Sequence, residues 1–156
     1  MRFVSAGVIL ALVGAAAPTL AANDQGKAIF AERCVLCHQE DAHGAAGVAP
    51  SLVGTLAPNL GSSEGKRYLS QILVSGMIGP IVTEGHKFSG LMPPFRADLS
   101  DGEIAAVINY VLGTYNGVAD ATATSPIAPA DVAAASAGNP VATDTRKLRE
   151  SIGVPR

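Results

Sequence analysis

Five consecutive residues, Cys34-Val35-Leu36-Cys37-His38, constrain this chain more than any other feature. Two thiols three positions apart lie about one helical turn from each other. They can add across the two vinyl groups of a single haem and form two thioethers. A histidine directly after the second cysteine is then held beneath the porphyrin, where its imidazole can bind the iron. This is the chemistry of C-x-x-C-H as a covalent haem attachment signature. A zinc site would need further ligands, and no second cysteine pair exists. A thioredoxin-like redox site would need a βαβ context, and no strong strand pattern surrounds these residues.

The N-terminus agrees with that reading. Arg2, an apolar run from Phe3 to Ala17 and the small residues of Pro18-Thr19-Leu20-Ala21-Ala22 predict a secretory signal peptide over residues 1–22, cleaved after Ala21 or Ala22. Gly7, Gly14 and Pro18 interrupt the run, which is short for a membrane span of about 20 residues. Covalent haem attachment in bacteria takes place outside the cytoplasm, so the expected location is the periplasm. Both cysteines of the chain sit in the motif, which leaves none for a disulfide framework.

Aromatic residues make up 4% of the chain and tryptophan is absent. A core so poor in large side chains is marginal for a small domain, and a buried porphyrin would supply the missing apolar body. Charge excludes one class of partner. Residues 23–117 carry six basic against nine acidic side chains, which offers no basic patch for nucleic acid.

The pattern along the chain predicts about three main helices. Asn23 or Asp24 caps the first, which runs from Gln25 to Arg33 into the cysteine motif. A Gly- and Ala-rich loop follows over residues 39–49. A second helix runs from Ser63 or Glu64 to Ser75, with Tyr68, Leu69, Ile72 and Leu73 on its apolar side and Gly76 just past its end. Residues 77–91 alternate weakly and hold several Gly and Pro, which fits a loop with a short hairpin. The third helix opens with a capping box, Ser100 to Glu103. It presents Ile104, Val107, Ile108, Val111, Leu112 and Tyr115 on one face, and Asn116-Gly117 ends it.

The composition changes at Val118 to Ala, Thr, Ser and Pro, and four basic residues gather in the last eleven positions. Residues 118–156 therefore read as a mobile or surface-draped C-terminal extension, with a basic end that contacts an acidic patch or a partner. Its removal after Gly117 is expected to leave haem attachment and iron ligation intact.

An iron bound by His38 needs a sixth ligand or an open site. Met1 leaves with the signal peptide, so Met77, Met92, His43 and His86 remain. Met92 lies in Gly90-Leu91-Met92-Pro93-Pro94-Phe95, where two prolines hold the backbone extended and forbid helix. Such a rigid segment can present one side chain at low entropic cost, which favours Met92. Met77 fits better as flexible core filler, and His43 lies in a polar loop. Met77, His86 and an open site stay as alternatives.

These residues resemble a class I c-type cytochrome of the bacterial periplasmic, monohaem group over about residues 23–117. Cys34, Cys37 and His38 match the attachment and proximal positions, and Met92 with Pro93 and Pro94 resembles the distal loop. Pro50, before Leu52 and Gly54, resembles the proline whose carbonyl accepts the proximal imidazole N–H and so fixes its ring. Gly26 and Phe30 on the first helix and Tyr110 on the last resemble the crossing of the terminal helices.

The resemblance implies an all-α fold, the small class I cytochrome c fold, wrapped round one covalently attached haem c with iron ligands His38 and Met92. It also implies one-electron transfer between periplasmic redox partner proteins, a dehydrogenase donor and an oxidase or reductase acceptor. Membranes would be met only through those partners. Two rivals remain. An enzyme would need an open distal site, with His86 as the candidate distal group. A haem subunit permanently docked in a periplasmic or membrane-associated dehydrogenase or reductase complex would share the chemistry but not the partner.

Overall fold

Ser100 and Glu103 open the most deeply buried helix of the protein. The Ser100 hydroxyl accepts from the Glu103 amide at 3.3 Å, and the Glu103 carboxylate accepts from the Ser100 amide at 2.8 Å. Two of the amides that a helix start leaves unbonded are thereby satisfied. In the computed structural model, which describes residues 17–119, 121 and 126–154, the main helices are α1 (Ala17–Ile29), α2 (Ser63–Ser75), α3 (Asp101–Tyr115), α4 (Pro129–Ser136) and α5 (Ala142–Ser151). An antiparallel hairpin, β1 (Met77–Thr83) with β2 (His86–Met92), stands between α2 and α3. The fold is thus mainly helical with a small sheet. Among the described residues no helix is long and apolar enough to cross a membrane.

Helix α1 starts six residues before the expected cap. Asn23 and Asp24 lie within it rather than capping it. The residues ahead of them favour helix, and Pro18 falls in the first turn, where a missing N–H costs nothing. The first sixteen residues of the expected signal peptide lie outside the described residues.

The chain then makes a wide π-helical turn over Phe30–Cys34, closed by the Val35 amide on the Phe30 carbonyl. A single α-turn over Val35–His38 follows. A π-turn adds one residue to the helical repeat and so rotates everything after it. It decides how the cysteine motif is presented, and nothing in the residue pattern announces it.

Helices α1 and α3 cross as the sequence suggests. A Cβ on Gly26 would collide with the Ala106 carbonyl oxygen and lie 2.8 Å from the Tyr110 Cβ. Only a hydrogen fits there. Phe30 packs its ring 5.8 Å from that of Tyr110 and 5.5 Å from that of Tyr115. Gly26→Leu should therefore destabilise the protein by about 1–3 kcal/mol through overpacking. Chemical denaturation should show this as a lower midpoint, and an unchanged midpoint would mean that the crossing is loose.

Helix α2 follows the expected span. The Ser62 hydroxyl caps it by accepting from the Gly65 amide at 3.0 Å, one position before the two residues expected to begin it. Residues 77–91, expected to be mostly loop, form a full hairpin instead. Its turn is Glu84-Gly85, both at positive φ (50° and 76°), the backbone that a two-residue hairpin loop requires. Pro80 is tolerated because β1 has one neighbouring strand, leaving its other edge without a ladder.

The extension beyond Gly117 corrects the sequence reading most. Among the described residues, α4 and α5 pack against the rest of the chain rather than forming a mobile or draped tail. Ala121, Ile127 and Val132 are at most 1% exposed and share one core cluster with Leu69, Ile104, Ile108 and Leu112. Buried Asn109 donates to the Ile127 carbonyl at 2.8 Å and accepts from its amide at 3.1 Å. This cover explains why α3 is buried beyond its predicted stripe. Ala106 faces Gly26 of α1, while Ala105 and Asn109 face the C-terminal segment. The apolar content of residues 118–156 is too low to fold alone, but it is enough to cap an existing core.

Candidate functional site

The loop after the cysteine motif is short in side chains and rich in backbone bonds. The Gly44 amide donates to the His38 carbonyl at 2.8 Å, the Leu52 amide to the Ala42 carbonyl at 2.8 Å, and Ala45 and Ala49 form an isolated antiparallel bridge. These contacts fold residues 39–52 back under His38. They bring the Pro50 carbonyl to 3.1 Å from His38 Nδ1. A carbonyl only accepts, so Nδ1 carries the proton and Nε2 holds a free lone pair. His38 is buried, and burial lowers its pKa from the ordinary histidine value, against the opposing effect of the Pro50 bond. The ring is thus neutral near neutral pH, which is the form that binds a metal.

Cys34 is half-buried, Cys37 is exposed, and neither is in a disulfide. Burial first, and the neighbouring Cys37 second, push the Cys34 thiol up to about 11.

Met92 ends β2, and its position is fixed from helix α2. Gly76 follows α2 with φ +69°, and a Cβ there would collide with the Met92 carbonyl and lie 2.9 Å from the Pro93 and Pro94 backbone. The Phe95 amide donates to the Leu73 carbonyl at 2.8 Å. Glycine at 76 is therefore required twice, by its φ and by the closeness of the Met92–Pro94 backbone.

The hairpin also changes the standing of Met77. It is the register partner of Met92, and directly opposed residues share one face of an antiparallel pair. Met77 is half-buried at the base of the hairpin, opposite Met92. His43 and His86 are both exposed. His86 stands beside the hairpin turn, at the end opposite Met92.

Sequence reasoning misses two residues that shape this region. The Asn116 side chain donates to the Leu52 and Val111 carbonyls at 2.9 and 3.1 Å and accepts from the Leu56 amide at 2.8 Å. Tyr115 donates its hydroxyl to the Glu40 carbonyl at 2.8 Å. Together they fasten both ends of the loop that carries Pro50 to the end of α3. The residue pattern marks Asn116 only as a helix stop.

These surroundings suit a porphyrin. Leu36 is 89% exposed, Leu91 63%, Val48 61% and Ile78 43%, and they lie on the cysteine motif, the following loop and the two strands. The loop and hairpin approach each other where the Val48 carbonyl lies 3.8 Å from a Cβ placed on Gly90. A C-x-x-C cysteine pair, an imidazole with one free nitrogen, two thioether side chains and exposed apolar residues are the kinds of group that a covalently held haem takes. Among the described residues no cluster of three or more His, Cys, Asp or Glu side chains offers a metal site of another kind.

Residues 21–111 match the family model described as cytochrome c oxidase, cbb3-type, subunit III. The chain belongs to this family of c-type cytochromes. Proteins of this kind bind haem c covalently. The cytochrome is also 40% identical over 90 residues to a cytochrome c-552 of Thermus thermophilus, covering 58% of this chain and 60% of the relative. A second Thermus thermophilus cytochrome c-552 is 41% identical over 86 residues, covering 55% of this chain and 64% of the relative. The cytochrome thus matches less than two thirds of the length of either relative.

Proposed function

We propose that this cytochrome is a one-electron carrier between periplasmic redox partner proteins and that it holds one haem c through Cys34 and Cys37, with His38 and Met92 as iron ligands. The observation that carries this reading is the His38–Pro50 hydrogen bond directly after C-x-x-C-H, which presents a fixed, neutral imidazole beside two free thiols. When bound, the haem supplies a one-electron couple between ferric and ferrous iron.

The chain's own residues do the rest. Cys34 and Cys37 make the cofactor permanent. The Pro50 carbonyl fixes the His38 tautomer and ring plane and raises its basicity as a ligand. Gly76, Pro93 and Pro94 hold Met92 at low entropic cost, and a thioether ligand raises the potential. With His38 and Met92 both holding it, the iron would offer no open position to substrate or dioxygen, which suits a carrier rather than an enzyme.

Export is supported by Arg2 and the apolar run after it. Cleavage after Ala21 or Ala22 would shorten α1 but leave Gly26, Ile29 and Phe30 in place, and Asn23 or Asp24 would then be free to cap it. Donor and acceptor would be a dehydrogenase and an oxidase or reductase. A second reading, a haem subunit fixed in such a complex, is favoured by the description of the matching family model as an oxidase subunit. A salt-insensitive complex of defined stoichiometry in the native periplasm or membrane would select it over the free carrier.

The ligand assignment has a direct test. The oxidised protein should show the weak near-infrared charge-transfer band of sulfur bound to ferric haem. Met92→Ala should abolish the band, lower the potential and admit carbon monoxide to the ferrous iron. Met77→Ala should retain the band. The opposite pattern would move the ligand across the hairpin to Met77.

A further inference from the structure

We propose that Arg149 is a positioning residue for the sulfur ligand. From helix α5 it ties the β1–β2 hairpin to helix α2 and so holds the frame that carries Met92. The proposal rests on Met92 being that ligand. Arg149 is 9% exposed, and a buried guanidinium demands partners. One of its nitrogens, Nη2, donates to the Val82 carbonyl at 2.8 Å, and Nη1 reaches the Tyr68 hydroxyl at 3.3 Å. Val82 lies near the far end of β1, and Tyr68 is a buried residue of α2. A rigid fork can hold two acceptors on two elements at once, which a lysine ammonium does less well.

The hairpin needs this support. A lone two-stranded hairpin is marginal in water, and β2 is largely exposed. At its base the hairpin is fixed to α2 by Gly76 and the Phe95–Leu73 bond. Toward its tip, Arg149 supplies the charged tie on Val82. Arg146, one turn earlier on α5, lies against Gly79 of β1. Thr145, by contrast, meets Gln71 of α2, with its hydroxyl 3.4 Å from Gln71 Nε2. Arg149 thus bridges the hairpin and α2, whereas the Thr145 hydroxyl is bonded to α2, so the Thr145 contact can be broken without removing the tie on Val82.

The test uses the full-length protein with its haem attached, in the variants Arg149→Leu, Arg149→Lys and Thr145→Val. Imidazole is titrated against the ferric form, where it competes with the sixth ligand, and amide exchange is followed along β1 and β2. Losing charge-assisted hydrogen bonds to the hairpin should raise the apparent imidazole affinity by about tenfold or more, because the open state becomes more populated. Exchange should quicken by a similar factor in β1 and β2 but not in α3. Arg149→Lys should fall between Arg149→Leu and wild type, and it carries the test if Arg149→Leu does not fold. Thr145→Val should leave imidazole affinity within about twofold of wild type, since the hydrogen bonds it removes go to Gln71 of α2 and leave the Arg149–Val82 bond in place.

An Arg149→Leu protein with wild-type imidazole affinity overturns the proposal. So does a Thr145→Val protein whose affinity rises equally, because the effect would then follow overall stability. Met92→Ala separates the two claims. If it leaves imidazole affinity unchanged, the sulfur-ligand reading fails and this proposal falls with it. If it raises affinity while Arg149→Leu does not, only the role of Arg149 is lost.

Discussion

A chain ending at Gly117 should lose most of its stability, although the cysteine motif, His38 and Met92 would all still be present. Ile127 and Val132 are completely buried against Leu69, Ile104, Ile108 and Leu112. Exposing that contact forfeits roughly 1.5–3 kcal/mol for each of the two side chains. Asn109 would exchange the two hydrogen bonds it makes with the Ile127 peptide for water, at a further cost of about 0.5–1.5 kcal/mol for each bond. The total is comparable with the whole stability of an ordinary small domain, about 5–15 kcal/mol. Denaturant unfolding of the haem-loaded truncated chain should show a broad transition or one at a much lower midpoint. A midpoint equal to that of the full chain would mean that α4 and α5 only rest on the surface.

Replacing both cysteines, Cys34→Ala with Cys37→Ala, should reduce covalent haem to background. From wild type, acidic acetone should extract no haem, because thioethers survive conditions that break axial bonds. From the double variant it should remove any haem present. The second effect is on folding. Among the buried hydrophobic residues the aromatic ones are Phe30, Tyr68 and Tyr110, and the exposed apolar residues Leu36, Val48, Ile78 and Leu91 would stay in water. The variant should therefore bind hydrophobic dyes and unfold with poor cooperativity. Haem held equally well after both cysteines are gone would remove the basis of the functional reading.

The helices are legible because they carry their own punctuation. Ser100 and Glu103 start α3, Gly76 stops α2, and Gly26 marks the crossing with α3. The attachment motif is legible because its chemistry depends on residue type and order, whereas Pro50 is picked out only by the family resemblance. The hairpin shows only faintly, since β1 and β2 carry glycine or proline within weak alternation. The pairing of Met77 with Met92 is not legible for that reason, because the register exists only once the strands pair. The C-terminal helices escape notice because alanine-rich segments look the same in a linker and in a cap over a core. What decides between them is Asn109, a polar residue in an apolar helix that has no partner until residue 127 comes into view. The π-turn at Phe30–Cys34 leaves no trace in composition at all.

The crossing of α1 with α3 also sets an order of assembly. A polypeptide is made from its N-terminus, so Gly26, Ile29 and Phe30 emerge long before Ala106 and Tyr110 exist to receive them. Until then α1 has nothing to pack on, and the following cysteines ride on an open segment. Contacts this distant in sequence close slowly. On the proposed attachment through Cys34 and Cys37, that delay would leave both side chains within reach of the haem before residues 127–151 cover the core.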